Sequence, residues 1–339
     1  LTASGASPTY VEGSSTPADL FSGVSVSTVD AGQTITSLQL TVAGLADGTN
    51  EKLTVDGTEF SLVDGATGTA GAGYSYTVSV VGATATVTIT RPSGSVSTDA
   101  AQTLVDGLGY RNTSSAPTGA DRTVTLTQIV DSGSSTLPSH NSTTLAVASI
   151  VGIQLTNDAP VLADTGLPTL TVAEDVGPPA NGSTAGSMLV SSLVGGMSDV
   201  DGTLQGIAIA GSEQARGTWY YTTDGGSTWN PVGAVSGSAS LLLKADSDTR
   251  LYFAPAANFN GSVDGALTIR AWDQSSGSAG SKVSTATSGG SSAFSSAIDV
   301  VGVSVTPVAD APTSALASVS LPAVAEDAGS PTGQLVGVL

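Results

Sequence analysis

The chain has 339 residues, enough for about two domains, with 28 acidic against 9 basic side chains and a formal charge of −19. That balance excludes nucleic acid and an anionic membrane surface as partners, since both need Lys and Arg. Cysteine is absent and His140 is the single histidine, which removes disulfides, thiolate zinc sites, cysteine nucleophiles and multi-histidine metal sites.

Charged residues make up 11% of the chain, against roughly 25% in ordinary globular domains. Hydrophobic residues reach 40% in short alternating runs, which argues for a core and against disorder. No apolar stretch approaches the roughly 20 residues of a membrane-spanning helix. The start at Leu1 without a basic, apolar leader, and the end at Leu339 in an apolar segment, read as a piece of a longer protein.

Strand-like runs follow in chain order: Ile35–Val42, Tyr74–Val80, Ala83–Thr90, Thr123–Val130 and Thr143–Leu155. They are rich in Thr, Val and Ile, whose branched side chains suit a pleated surface. Ala46-Asp47-Gly48, Val55-Asp56-Gly57, Val63-Asp64-Gly65 and Asp131-Ser132-Gly133 punctuate the first half as turns. Thr98–Leu108 and Ser187–Leu193 are the two short helix candidates. Many short strands with Gly-rich turns give an all-β chain of tandem antiparallel β-sandwiches in an extended array.

An internal repeat divides the chain. Val151–Thr156 followed by Asn157-Asp158-Ala159-Pro160 is echoed by Val301–Thr306 and Ala309-Asp310-Ala311-Pro312, and Val172-Ala173-Glu174-Asp175 by Val324-Ala325-Glu326-Asp327. Both echoes fall at one offset. The expected units are a divergent one over 1–158, a complete one over 159–310 and the truncated start of a third over 311–339. Pro160 and Pro312 favour short extended junctions.

In a chain so poor in charge, the position of each carboxylate is informative. Asp199-Val200-Asp201-Gly202 puts two of them on one side of an extended segment. Asp131 and Asp273 each end a strand-like run, and Asn157 and Asp158 sit at a junction. Glu12, Glu174 and Glu326 each lie near the start of a unit. Asp is also a common turn residue, and each single position fits that reading equally well. Clustered at a unit boundary, hard oxygen ligands of this kind suit Ca²⁺, which takes about 6–8 oxygens.

The Asn-Asp-Ala-Pro junction, the Ala-Glu-Asp strand start, the Asp-Val-Asp-Gly loop and the strand ending in Ala-Trp-Asp resemble bacterial cadherin-like (Ig-like) repeats. Such repeats form the extender regions of large secreted Gram-negative surface adhesins of the RTX type. The resemblance implies calcium between consecutive domains. At the first junction it assigns Glu12, Asp121, Asn157, Asp158, Asp199, Asp201 and Asp273 as ligands; at the second, Glu174, Asp264 and Asp310. Two departures stand out: Val29-Asp30-Ala31-Gly32 replaces an Asp-x-Asp-Gly loop, and Ala309 replaces the junction asparagine.

Other motifs point elsewhere. Thr222-Thr223-Asp224-Gly225-Gly226-Ser227-Thr228-Trp229 resembles a single Asp-box hairpin, a structural turn, or with Trp219 and Tyr221 a sugar-stacking face. His140 lies in a polar loop, and no Gly-x-Ser-x-Gly elbow exists to make a serine nucleophile. Paired carboxylates could imitate a glycosidase, but aromatics are only 4% of the chain, a poor cleft lining. Asn112, Asn141 and Asn181 head glycosylation sequons that a bacterial origin would leave unused. The reading is a non-enzymatic, calcium-stiffened extender at the bacterial cell surface, serving cell adhesion and biofilm. Its partners are neighbouring repeats, with copies of itself or matrix polysaccharide beyond them. The alternatives are a self-assembling matrix or surface-layer filament and a carbohydrate-binding module.

Overall fold

The computed structural model describes residues 1–339 except 72, 92–93, 135–139, 165, 203–204, 312–322 and 331–339. The chain is nearly all β. In its first part a seven-stranded sheet runs in the order Thr9–Val11, Ser142–Gln154, Arg122–Asp131, Ile35–Ala43, Thr84–Thr90, Tyr74–Val81, Thr67–Ala70. It faces a four-stranded sheet of Ala18–Asp19, Gly109–Asn112, Glu51–Val55 and Thr58–Ser61. Alternation decides the inward face: Leu38, Leu40 and Val42 on one strand and Ala85, Val87 and Ile89 on the next are buried, while the residues between them are half-buried. Leu40, Val42, Leu53, Val87, Val124 and Leu126 are wholly excluded from solvent and share one apolar cluster with Tyr10 and Val151. Each such Val or Leu contributes about 1.5–3 kcal/mol through burial.

The helix candidate at Thr98 forms as Thr98–Asp106, started by Ser97, whose hydroxyl accepts from the Ala100 N–H. It buries Ala101, Leu104 and Val105 against the first cluster. The second candidate does not form an α-helix. Met188–Leu189 is a strand and Val190–Leu193 a 3₁₀ turn, because Val190 and Leu193 are drawn into a sheet core at that point.

A second set of sheets follows. Six strands run in the order Thr169–Ala173, Asp299–Thr306, Gly261–Trp272, Gly206–Ser212, Ser240–Lys244, Lys282–Val283, and four in the order Met188–Leu189, Arg250–Pro255, Gly217–Thr222, Asn230–Pro231. Leu241, Leu243, Ile207 and Ile209 face the core between them. Leu242 and Ala208 point the other way, yet both are fully buried, with Trp272 and Phe294. The run Leu241-Leu242-Leu243 is therefore apolar throughout because both faces of this sheet are covered.

Each large sheet departs from the antiparallel expectation at one edge. Its first strand pairs parallel with its last: Thr9–Val11 with Gly152–Gln154, and Thr169–Ala173 with Gly302–Thr306. Parallel pairing brings the end of the first strand beside the point where the chain leaves the sheet. The glutamate that follows the first strand, Glu12 or Glu174, thus lies at the exit.

A buried charge network crosses the first sandwich near the same end. Arg122 is fully buried and binds Glu51 at 3.1 Å and Asp47 at 2.8 Å. Glu51 also accepts from the Ala46 and Asp47 N–H groups and the Tyr110 hydroxyl, so every partner of the charge is satisfied.

Candidate functional site

The same glutamate device appears twice. The Glu12 N–H donates to the Gln154 carbonyl at 2.9 Å, and the Glu174 N–H to the Thr306 carbonyl at 2.8 Å. Glu12 Oε2 accepts from the Thr156 N–H at 2.9 Å, and Glu174 Oε2 from the Val308 N–H at 3.0 Å. Each carboxylate therefore grips the first residues of the outgoing linker. The next residue takes a positive φ in each case, 73° at Gly13 and 64° at Asp175, and Asp327 after Glu326 repeats it at 65°. The glycine at the first of these positions is the cheaper choice for that conformation.

At the first junction the linker passes between acidic groups from both sides. The Asp158 N–H donates to Asp201 Oδ2, the Asp201 N–H to Asp199 Oδ1 at 2.9 Å, and the Asn157 side-chain amide to Asp273 Oδ2 at 2.9 Å. Asp273 Oδ1 accepts from the Ser275 N–H at 2.7 Å. A cavity of about 190 Å³ is lined by Asn157, Asp199, Asp201 and Asp273. On the other side of the linker, Glu12 and Asp158 line one of about 320 Å³ with Thr156, Arg111 and Asn112.

Two oxygens in this cluster are buried without a hydrogen-bond partner, Glu12 Oε1 and Asp199 Oδ2. Glu12 is only 7% exposed. Burial pushes its carboxyl up from the usual range, the Thr156 hydrogen bond opposes this, and the charges of Asp158 and Asp201 push it further. Asp158 is raised too, by burial first and then by Asp201 and Asp199. The site is electrostatically frustrated. Among the described residues no three His, Cys, Asp or Glu side chains are placed to hold a metal ion together.

Six of the sequence-selected residues thus lie together: Glu12, Asn157, Asp158, Asp199, Asp201 and Asp273. Asp121 stands apart, exposed, with Oδ1 across from Gly152 near Thr9. Asp264 does not occupy the matching place in the second sheet. Arg122 pairs with Val151, but Val263 pairs with Val303, and the irregularity between Val263 and Leu267 carries Asp264 out of register. Asp264 and Asp121 were equated by sequence order, which cannot see a bulge. At the second junction Glu174 is joined by Asp310, raised first by the charge of Asp175, then by burial and Glu174. Asp175 itself was missed, although the recurring Glu-Asp pair and the glycine at position 13 carried a signal.

The remaining motifs resolve as structure. Asp224 accepts from the Thr228 N–H at 2.9 Å and from the Thr228 and Thr222 hydroxyls at 2.6 and 2.7 Å. These bonds, the Thr228 hydroxyl first, hold its carboxyl at about 2. Trp219 is buried against Phe253, so it cannot join a sugar-stacking face. Trp229 packs edge-on to Tyr252, not to Trp219 or Tyr221, and its indole N–H donates to the Ser183 carbonyl at 3.0 Å. His140 is exposed, and Leu137–Ser139 before it lies outside the described residues.

No protein-family model matches the chain, and no curated protein matches it. Among solved structures it is similar to a titin fragment of three Ig domains in a glutamate-to-alanine variant, at 12% identity and a TM-score of 0.19. That alignment covers 89% of this chain and 63% of the titin chain. The β-sandwich assignment stands on the sheets themselves.

Proposed function

We propose that this chain is a non-enzymatic structural segment of an extended extracellular protein, with Ca²⁺ clamping its first junction. The observation that carries the reading is Glu12 Oε1: a buried, unpartnered carboxylate oxygen, facing the charges of Asp158 and Asp201 where one sandwich hands over to the next. A divalent cation would offset the mutual repulsion of these carboxylates and tie the two sandwiches together. Glu12 of the first sandwich and Asp158 of the linker would hold it, and Asp201, whose Oδ2 accepts from the Asp158 N–H and whose own N–H is held by Asp199, would join it from the second sandwich. Oxygen-only donors of mixed type suit Ca²⁺ over zinc or copper.

The surroundings fit the outside of a cell. Extracellular calcium modules bind at about 10⁻⁴–10⁻³ M, so such a junction is loose where calcium is scarce and stiff after export. The −19 charge keeps neighbouring chains from collapsing on one another. The work of the segment is then reach and stiffness at a bacterial surface, with adjoining repeats as its first partners.

The test is thermal unfolding with calcium and with chelator, in the wild type and in Asp199→Ala. At about 100 times Kd, calcium adds about 2.7 kcal/mol, or roughly 5–10 °C for a unit of this size. The variant is expected to lose most of that rise. A melting temperature that is the same in calcium and in chelator for both proteins would remove calcium from the proposal.

A further inference from the structure

The two junction glutamates differ in one contact. Their backbones and Oε2 atoms are held alike, by equivalent donors at equivalent distances. The other oxygen is treated differently. Glu174 Oε1 accepts from the Asn260 side-chain amide at 3.0 Å, whereas Glu12 Oε1 is buried without a partner. Asn260 immediately precedes the strand Gly261–Trp272, whose first residue pairs with Val305 next to the exit. In the first sandwich the segment before Arg122–Asp131 reaches the exit at Gly119. A Cβ there would lie 3.3 Å from Leu155 Cδ1, on a side chain that is 54% exposed and free to turn away. Gly119 is not in the left-handed region, so a side chain is tolerated by its backbone.

We propose that the residue at this place decides whether a junction glutamate takes a cation. Asn260 gives Glu174 a neutral amide donor, which satisfies the buried oxygen without adding charge and competes with a metal for that oxygen. Gly119 offers nothing, so Glu12 is left for the ion. The first joint is then locked by calcium, while the glutamate of the second is locked by its own sheet. Stiffness of the chain is graded along its length by a glycine–asparagine choice.

The inference rests on the calcium reading of the first junction, and the experiment separates the two. Calcium chloride is titrated calorimetrically into the full 339-residue chain and into Asn260→Ala and Gly119→Asn, with melting temperatures taken in calcium and in chelator. Asn260→Ala is expected to bind one more calcium than the wild type and to acquire a calcium-dependent melting step. Gly119→Asn is expected to weaken the first-junction calcium by about tenfold or more, close to the loss of one good ligand. Wild-type binding with neither variant changed overturns the inference and leaves the calcium junction standing. A wild type that binds none, with Asn260→Ala gaining one, overturns the first junction and leaves the role of Asn260. No binding by any of the three overturns both. If Asn260→Ala fails to fold in either condition, Gly119→Asn decides alone.

Discussion

Replacing Glu12 by glutamine should change the sign of its effect with calcium. Glutamine keeps an oxygen for the Thr156 N–H and puts an NH₂ group where Oε1 is buried and unpartnered. A buried polar atom left unpaired costs more when it is charged than when it is neutral, and the neutral amide also escapes the repulsion of Asp158 and Asp201. In chelator, Glu12→Gln should therefore be about 1 kcal/mol more stable than the wild type. In calcium at about 100 times Kd the wild type gains about 2.7 kcal/mol, which the amide, a poorer ligand than a carboxylate, does not share. The advantage of the variant is then erased or reversed. Urea unfolding of both proteins, with and without calcium, reads the difference as a shift in midpoint at constant slope. Equal destabilisation by Glu12→Gln in both media would refute the reasoning, because it would make Glu12 an ordinary structural carboxylate.

Other expectations follow from the rest of the molecule. Arg122→Ala strips the counter-charge from buried Glu51 and from Asp47 and should cost about 3–5 kcal/mol, measured as a fall in urea midpoint independent of calcium. Burial opposes ionisation of Asp47, but hydrogen bonds from Thr118 and Asn112 and the charge of Arg122 together hold its carboxyl below the usual value. A depressed carboxylate stabilises the fold above its unfolded pKa and loses that contribution as pH falls through the folded value. Asp47→Asn should thus flatten the acid limb of the stability curve below about pH 4, seen in unfolding midpoints taken stepwise through that range. The Asp224 carboxyl, held at about 2, follows the same sign: amide exchange at Thr228, whose N–H it accepts from, should stay slow down to that pH, and Asp224→Ala should speed it at neutral pH.

How much of this was legible in the sequence depends on the kind of information each feature needs. Strands such as Ile35–Ala43 and Arg122–Asp131 announce themselves through β-branched alternation, and their ends fall within a residue of the expected ones. The junction cluster was legible in part: the repeated Val-Ala-Glu-Asp string fixes the place of Glu174, while Glu12 stands outside any repeated string and is marked only by its like distance from the start of its unit and by the family resemblance. What sequence order cannot convey is pairing. The parallel edge pair that brings Glu12 to the exit, and the bulge that moves Asp264 out of register with Asp121, are long-range properties. Leu242 lies on the opposite face from Leu241 and Leu243, and only its packing with Trp272 and Phe294 shows why it is apolar. Asn260 carried no sign of its role, since an asparagine before glycine reads as a turn until its partner is seen.

The central claim is that calcium fixes the orientation of one sandwich against the next at the first junction. Because the chain has no cysteine, Ser79→Cys and Thr218→Cys place one spin label on an exposed strand position of each sandwich. The distance distribution between the labels is then measured by pulsed electron resonance in calcium and in chelator. A broad distribution that narrows on calcium addition, and does not narrow when Asp199→Ala is added, is the predicted result. A distribution of the same width in both media would contradict the calcium clamp.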